Sequence, residues 1–231
     1  SHVHGVGRQL QTQILHAIVR MVTRTPIIDP VYRPEETSTR DDWLDYQLKF
    51  IANRPPSTIV DIGCGTNWVK HLPCMKPHMV TGIDFDTSNA HGQEPKPDIN
   101  TYFPLLHTRD GVVNDTWVQD NQESFDCGIA LCSLHYCLLQ DLPAQIDIAL
   151  QLIKPGGMLF VTVNTQRMYM KAIEIGVTQE TNQMVKDFGN PWIINYCRWL
   201  EQQDCNGTIH NVMGWNSENE VKGNVMLLVS K

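Results

Sequence analysis

Residues 59–68 read IVDIGCGTNW. An apolar run that fits a strand buried on both faces passes directly into a turn with glycine at 63 and 65. Glycines at alternate positions permit positive φ and leave backbone N–H groups open to close approach. Doubly wound α/β sheets receive nucleotide-like ligands in this way, at the carboxyl end of a strand. The next apolar run, Met79–Asp84, closes on Gly-Ile-Asp. It places Asp84 about 20 residues after the turn, where a carboxylate can accept from the two hydroxyls of a ribose.

The rest of the chain keeps the rhythm to which such a strand belongs. Apolar runs at Thr58–Ile62, Met79–Asp84, Tyr102–Leu106, Phe125–Cys132 and Met158–Val163 read as strands, and two more close the chain at Thr208–Met213 and Asn224–Val229. Helical spacing predicts helices over Gln9–Arg24, Thr39–Asn53 and Leu142–Ile153, the last stopped by Lys-Pro-Gly-Gly at 154–157. Strand, turn, helix and strand in succession predict a Rossmann-like α/β fold, a mostly parallel sheet with helices on both faces. Residues 1–37 read as an amphipathic helix and linker that pack on a domain formed by 38–231. A chain of 231 residues suffices for one such domain.

Composition narrows the function classes. A net charge of −7 with no basic run argues against non-specific grip on long nucleic acid, DNA included, because phosphate neutralisation supplies that affinity. Any nucleic-acid role must use a local pocket or a partner that holds the polymer. No apolar run reaches the ~20 residues of a membrane span, so no membrane is expected as a partner. The seven cysteines are odd in number and mostly sit within apolar segments. They read as reduced thiols of a cytoplasmic (or nuclear) protein rather than a disulfide framework. His71, Cys74 and His78 have ligand-like spacing but supply three ligands with a proline in each gap, so we read a surface loop and expect no metal.

Asp61 separates nucleotide classes. Beside a dinucleotide's pyrophosphate it would set anion against anion, whereas it suits a cationic ligand such as S-adenosylmethionine, which carries an ammonium and a sulfonium. The order FDCGIALCSLHY, helix, LIKPGGMLFVTVN resembles the class I S-adenosylmethionine-dependent methyltransferases from Asp61 to Asn164. That resemblance implies a seven-stranded sheet with an antiparallel last strand and S-adenosyl-L-methionine as cofactor. It implies a cofactor site of Asp61, Gly63, Cys64, Gly65, Asp84, Phe85, Cys132 and Ser133, with Asp110 (Asp115 as second choice) at the adenine. The family's usual third glycine is Asn67 here, a residue that tolerates the left-handed region better than most.

The end of the fourth strand speaks to the acceptor. Cys132-Ser133-Leu134-His135-Tyr136 lacks the Asp/Asn-Pro-Pro-aromatic run of adenine-amine methylation. The Pro-Cys of cytosine C5 chemistry occurs only at Pro73-Cys74, and the Asp that ribose 2′-O transfer uses is missing. An acceptor that needs no deprotonation fits best. Guanine N7 is one, and placement alone can lower such a barrier by up to ~7–11 kcal/mol.

CSLHYCL followed by LIKPGGMLFVTVNTQRM is similar to the mRNA cap guanine-N7 methyltransferases, as are TRDDWLDYQLKFI and the closing ENEVKGNVMLLVSK. The resemblance implies in-line methyl transfer to a GpppN cap without a general base, the capped RNA 5′ end as partner, and a possible second protein of a capping complex. It makes His135 and Tyr136 cap-guanine ligands and puts Asn164 in the same cleft. The family's asparagines before the Trp are Asp41 and Asp42 here, its following Lys is Asp45, and its guanine-binding Glu has no match. Asp41, with Glu201 behind it, is then the substitute acceptor, and Trp192 the ring that stacks on the purine. These departures imply a diverged member, such as a viral one. Two other readings stand beside it: a small-molecule methyltransferase, and a non-catalytic subunit of this fold that stimulates a partner enzyme.

Overall fold

Strands as apolar as Thr58–Ile62 need cover on two faces, and the architecture provides it. The computed structural model describes residues 48–84, 97–100, 116–135, 137–189, 192–216 and 223–231. Seven strands form one sheet: β1 (Thr58–Ile62), β2 (Met79–Asp84), β3 (Ile99–Asn100), β4 (Phe125–Leu131), β5 (Ile153–Asn164), β6 (Thr208–Asn216) and β7 (Gly223–Ser230). Their order is β3-β2-β1-β4-β5-β7-β6. The first five pair in parallel, and β7 lies antiparallel between β5 and β6. The described helices are α1 (residues 48–52), α2 (Thr116–Asp120), α3 (Leu142–Leu150), α4 (Thr165–Ile175), α5 (Thr178–Phe188) and α6 (Trp192–Glu201). The chain divides into two compact units, Ser1–Tyr32 and Arg33–Lys231, and all described residues belong to the second. The predicted helix over Gln9–Arg24 lies outside the described residues.

Alternation sorts the side chains of each strand to two faces. Val60, Ile62, Ala130, Leu159, Val161, Val225 and Leu227 join Leu142 and Ile146 of α3 and Ile193, Tyr196 and Leu200 of α6 in one buried cluster. Ile59, Ile129 and Phe160 point to the opposite face, where Phe50 of α1 packs on Phe160 with ring centroids 5.3 Å apart. Tyr196 ties α6 to the sheet's upper edge by donating from its hydroxyl to the Leu139 carbonyl at 2.5 Å.

One expectation changes, one falls outside the described residues, and one stretch carried none. The sequence places a strand at Tyr102–Leu106; that segment lies outside the described residues, and the strand beside β2 is Ile99–Asn100. The Lys-Pro-Gly-Gly run does not end a helix. α3 stops at Leu150, and Ile153–Gly157 already belongs to β5, where a register shift opposite Phe125 and Cys127 and a positive φ of 78° at Gly156 absorb the two glycines. The sequence also leaves residues 165–201 without elements, where α4, α5 and α6 stand.

Candidate functional site

Because β1, β2, β4 and β5 are parallel, their carboxyl ends open on one edge, and the described candidate residues lie at these ends or in the turns after β1 and β4. The β1 turn needs three residues in the left-handed region: Gly63 at φ 70°, Gly65 at 57° and Asn67 at 61°. The two glycines serve different ends. A Cβ on Gly63 would lie 2.3 Å from the Ser133 Cβ, so Gly63 lets the β4 end close over the turn. A Cβ on Gly65 would meet nothing within 4 Å among the described residues. Gly63 and Cys64 donate their amides to the Ile83 carbonyl at 2.8 and 3.1 Å, and Gly65 donates to the Asp84 carboxylate at 2.7 Å. The turn is thereby stapled to the end of β2.

Asp61 is the anomaly of this end. It lies on β1 between Gly82 and Ile129 of the neighbouring strands and is 2% exposed. Its Oδ2 is buried with no hydrogen-bond partner among the described residues. Burial, reinforced by the charge of Asp84, pushes its carboxyl up to about 7. The same surroundings push the Cys64 thiol up to about 12, first by burial and then by Asp61, Asp84 and Asp98, so it is no thiolate. A buried carboxylate oxygen without a donor is costly unless a ligand completes it.

The β4 end is strained. Cys132 holds φ at 54° while its amide donates to the Thr162 carbonyl at 2.6 Å, a conformation that costs on the order of 1–3 kcal/mol in a non-glycine residue. Ser133 donates its hydroxyl to the Ile62 carbonyl at 2.5 Å, which makes it a fastener between β4 and β1. His135 follows, 5% exposed, and its Nδ1 accepts from the amide of Asn164 at 3.4 Å. Asn164 is committed elsewhere as well: its Oδ1 caps α4 by accepting from the Arg167 amide, and its Nδ2 donates to Asn224, both at 3.1 Å.

A methyltransferase-domain family model matches residues 36–205. The chain belongs to this family. Among solved structures, it is similar to an S-adenosylmethionine-dependent methyltransferase from Methanosarcina mazei (14% identity, 80% of this chain and 97% of that one, TM-score 0.41). It is similar also to one from Mesorhizobium loti (16%, 80% and 96%, 0.44) and to magnesium protoporphyrin IX methyltransferase from Synechocystis PCC 6803 (13%, 82% and 81%, 0.43). No curated protein matches the chain.

S-adenosylmethionine is therefore the cofactor of this methyltransferase, and the residues present fit it. The buried Asp61 oxygen, without a partner among the described residues, suits its ammonium, and Asp84 at the end of β2 suits its ribose. When bound, the cofactor supplies an electrophilic methyl group on a sulfonium. Of the residues expected at the site, Asp61, Gly63, Cys64, Gly65, Asp84, Cys132, Ser133, His135 and Asn164 all fall on the carboxyl edge of the sheet or the segments just after it. Phe85, Asp110, Tyr136 and Asp41 lie outside the described residues.

Trp192 requires correction. It is 2% exposed in the α6 core, its ring centroid 6.1 Å from that of Tyr196, and it presents no face to a purine. The apolar spacing Trp192, Ile193, Tyr196, Cys197, Leu200 is that of a buried helix stripe and could have shown this from the sequence. Sequence reasoning also missed Asp98, which takes hydrogen bonds from the Gly82 amide, Asn67 and Lys70 beside the turn. All seven cysteines are free, and among the described residues no three His, Cys, Asp or Glu side chains gather as a metal site. His78 instead links Ser57 to Ala52 through its ring nitrogens. No described helix is long and apolar enough to cross a membrane.

Proposed function

We propose that this methyltransferase acts on an acceptor atom that needs no deprotonation, and that the atom is N7 of the guanine in an RNA cap, GpppN. The observation that carries the reading is His135: a buried imidazole at the end of β4, oriented by the amide of Asn164 at the end of β5. Held at Nδ1 by that amide, the ring has a fixed orientation. Such a ring orients a base. Tyr136 and Asp41 complete the guanine contacts in this reading. The acidic surface, with a net charge of −7, calls for a partner protein or the cap alone to hold the RNA.

A small-molecule acceptor is the second reading, favoured by one feature. A groove of about 730 Å³ lies beside the turn that leads into α3, lined in part by Gln140, Val177, Glu180, Gln183 and Met184. The Gln140 Oε1 is buried with no hydrogen-bond partner among the described residues. That volume is typical of small-molecule sites, and its acidic, carboxamide-rich wall suits a polar or cationic molecule better than a triphosphate. Methyl transfer from labelled S-adenosylmethionine to GpppG- and GpppA-capped RNA, against the N7-methylated cap, tests both readings. Label on the unmethylated cap alone, reduced at least 100-fold in His135→Ala, is expected. Label on both caps, or on small amines and not on RNA, overturns the cap assignment.

A further inference from the structure

Asn67 occupies the position of the family's third glycine, and the structure shows what its side chain does there. At φ 61° and 2% exposed, it reaches beneath β2 to Gly82. A Cβ on Gly82 would lie 2.3 Å from the Asn67 Oδ1, so the missing side chain at 82 is the space that the carboxamide fills. Asn67 Nδ2 then donates to Asp98 Oδ2 at 3.2 Å. The same oxygen accepts from the Gly82 amide at 2.8 Å, and the amide of Asp98 returns a bond to the Gly82 carbonyl at 2.9 Å. Lys70, from the 3₁₀ turn after the glycine loop, donates to the second Asp98 oxygen at 2.5 Å. Burial raises the Asp98 carboxyl, but these donors outweigh it and hold the group below the usual carboxylate range.

The position of this cluster gives it a function. Gly82 is two residues before Asp84, whose carboxylate already accepts from Gly65. β3 is only two residues long and pairs with Ile83 and Asp84 alone. The end of β2 is therefore held by β1 and the glycine turn on one side and by Asp98 on the other. We infer that Asn67 and Asp98, assisted by Lys70, are positioning residues that fix the Asp84 carboxylate for the cofactor's ribose. The turn that normally needs a glycine has exchanged it for an asparagine that reaches across to the next strand. The inference rests on the cofactor reading of the site.

Calorimetry with S-adenosylhomocysteine and its 2′-deoxy counterpart tests it. Asn67→Gly keeps the left-handed backbone and removes only the carboxamide; Asp98→Asn keeps the shape and removes the charge; Lys70→Met removes the third donor. We expect Asn67→Gly and Asp98→Asn each to weaken S-adenosylhomocysteine about tenfold and its 2′-deoxy counterpart less than threefold, because the lost precision falls on the ribose contact. Lys70→Met is expected to follow the same pattern at about threefold. Equal losses on both ligands, or no loss on either, overturn the assignment. Failure of the unaltered protein to bind S-adenosylhomocysteine removes the cofactor reading and the inference together, and is told apart by needing no variant.

Discussion

The two ends of the sheet treat an aspartate in opposite ways. At the carboxyl end, Asp61 is almost wholly buried, one oxygen lacks a donor among the described residues, and its carboxyl is pushed up to about 7 by burial and Asp84. At the amino end, Asp126 opens β4 in full company. Lys154 at 2.8 Å, the Thr58 amide at 2.8 Å and the Thr58 hydroxyl at 2.8 Å hold its carboxyl at about 2. At the amino end this carboxylate joins β1, β4 and β5 through bonds made inside the protein. The carboxyl end leaves a charge to be completed from outside. Stability and binding are thus divided along the length of the same strands, as expected where function is built on strained and unsatisfied groups.

Asp61→Asn should break the contrast most sharply. We expect cofactor affinity to fall at least 100-fold by calorimetry, while the ligand-free protein at pH 8 gains on the order of 1–3 kcal/mol in urea unfolding. The sign follows from the raised carboxyl. Between its ordinary 3.8 and about 7, the folded chain binds the proton more tightly than the unfolded chain, so this group's penalty grows over that window and is complete above it. Affinity for S-adenosylhomocysteine should correspondingly drop up to tenfold per pH unit below 7, and the Asn variant should lose that slope.

Asp126→Asn should do the reverse, lowering stability by roughly 1 kcal/mol, discounted because the side chain is 38% exposed, and leaving cofactor affinity unchanged. Its contribution is present above the ordinary 3.8 and lost as pH falls through about 2. Thermal melts between pH 7 and 2 should show the variant converging on the parent at the acid end. Cys132→Gly has the smallest expected effect, a gain of about 0.5 kcal/mol in urea unfolding, since glycine's greater loss of freedom on folding offsets part of the relief of the φ of 54°.

The contrast also explains what could be read in the sequence. β1 and β2 were legible to the residue because continuous apolar runs bounded by Gly, Pro and Asp carry a local signal. The glycine turn, Asp61 and Asp84 were legible for the same reason. β5 was misjudged at its start, since Pro155-Gly156-Gly157 has the chemistry of a stop and only pairing across to β4 and β7 makes it strand. Trp192 was misplaced because one aromatic was read without the helix stripe around it. The Asn67–Gly82–Asp98 and Thr58–Asp126–Lys154 contacts join residues 15 to 68 positions apart, a relation that no local window contains.

Asp61 also ties the protein's fate to its metabolic surroundings. A chain whose buried acid lacks a full set of partners among the described residues is least secure when empty, and a ligand that binds only the folded form stabilises it by mass action, by about 2.7 kcal/mol at 100 times its Kd. Marginal stability of that size governs how often a chain is exposed to proteases. Were the donor's ammonium to complete that oxygen, the steady level of this methyltransferase would rise and fall with the supply of its methyl donor.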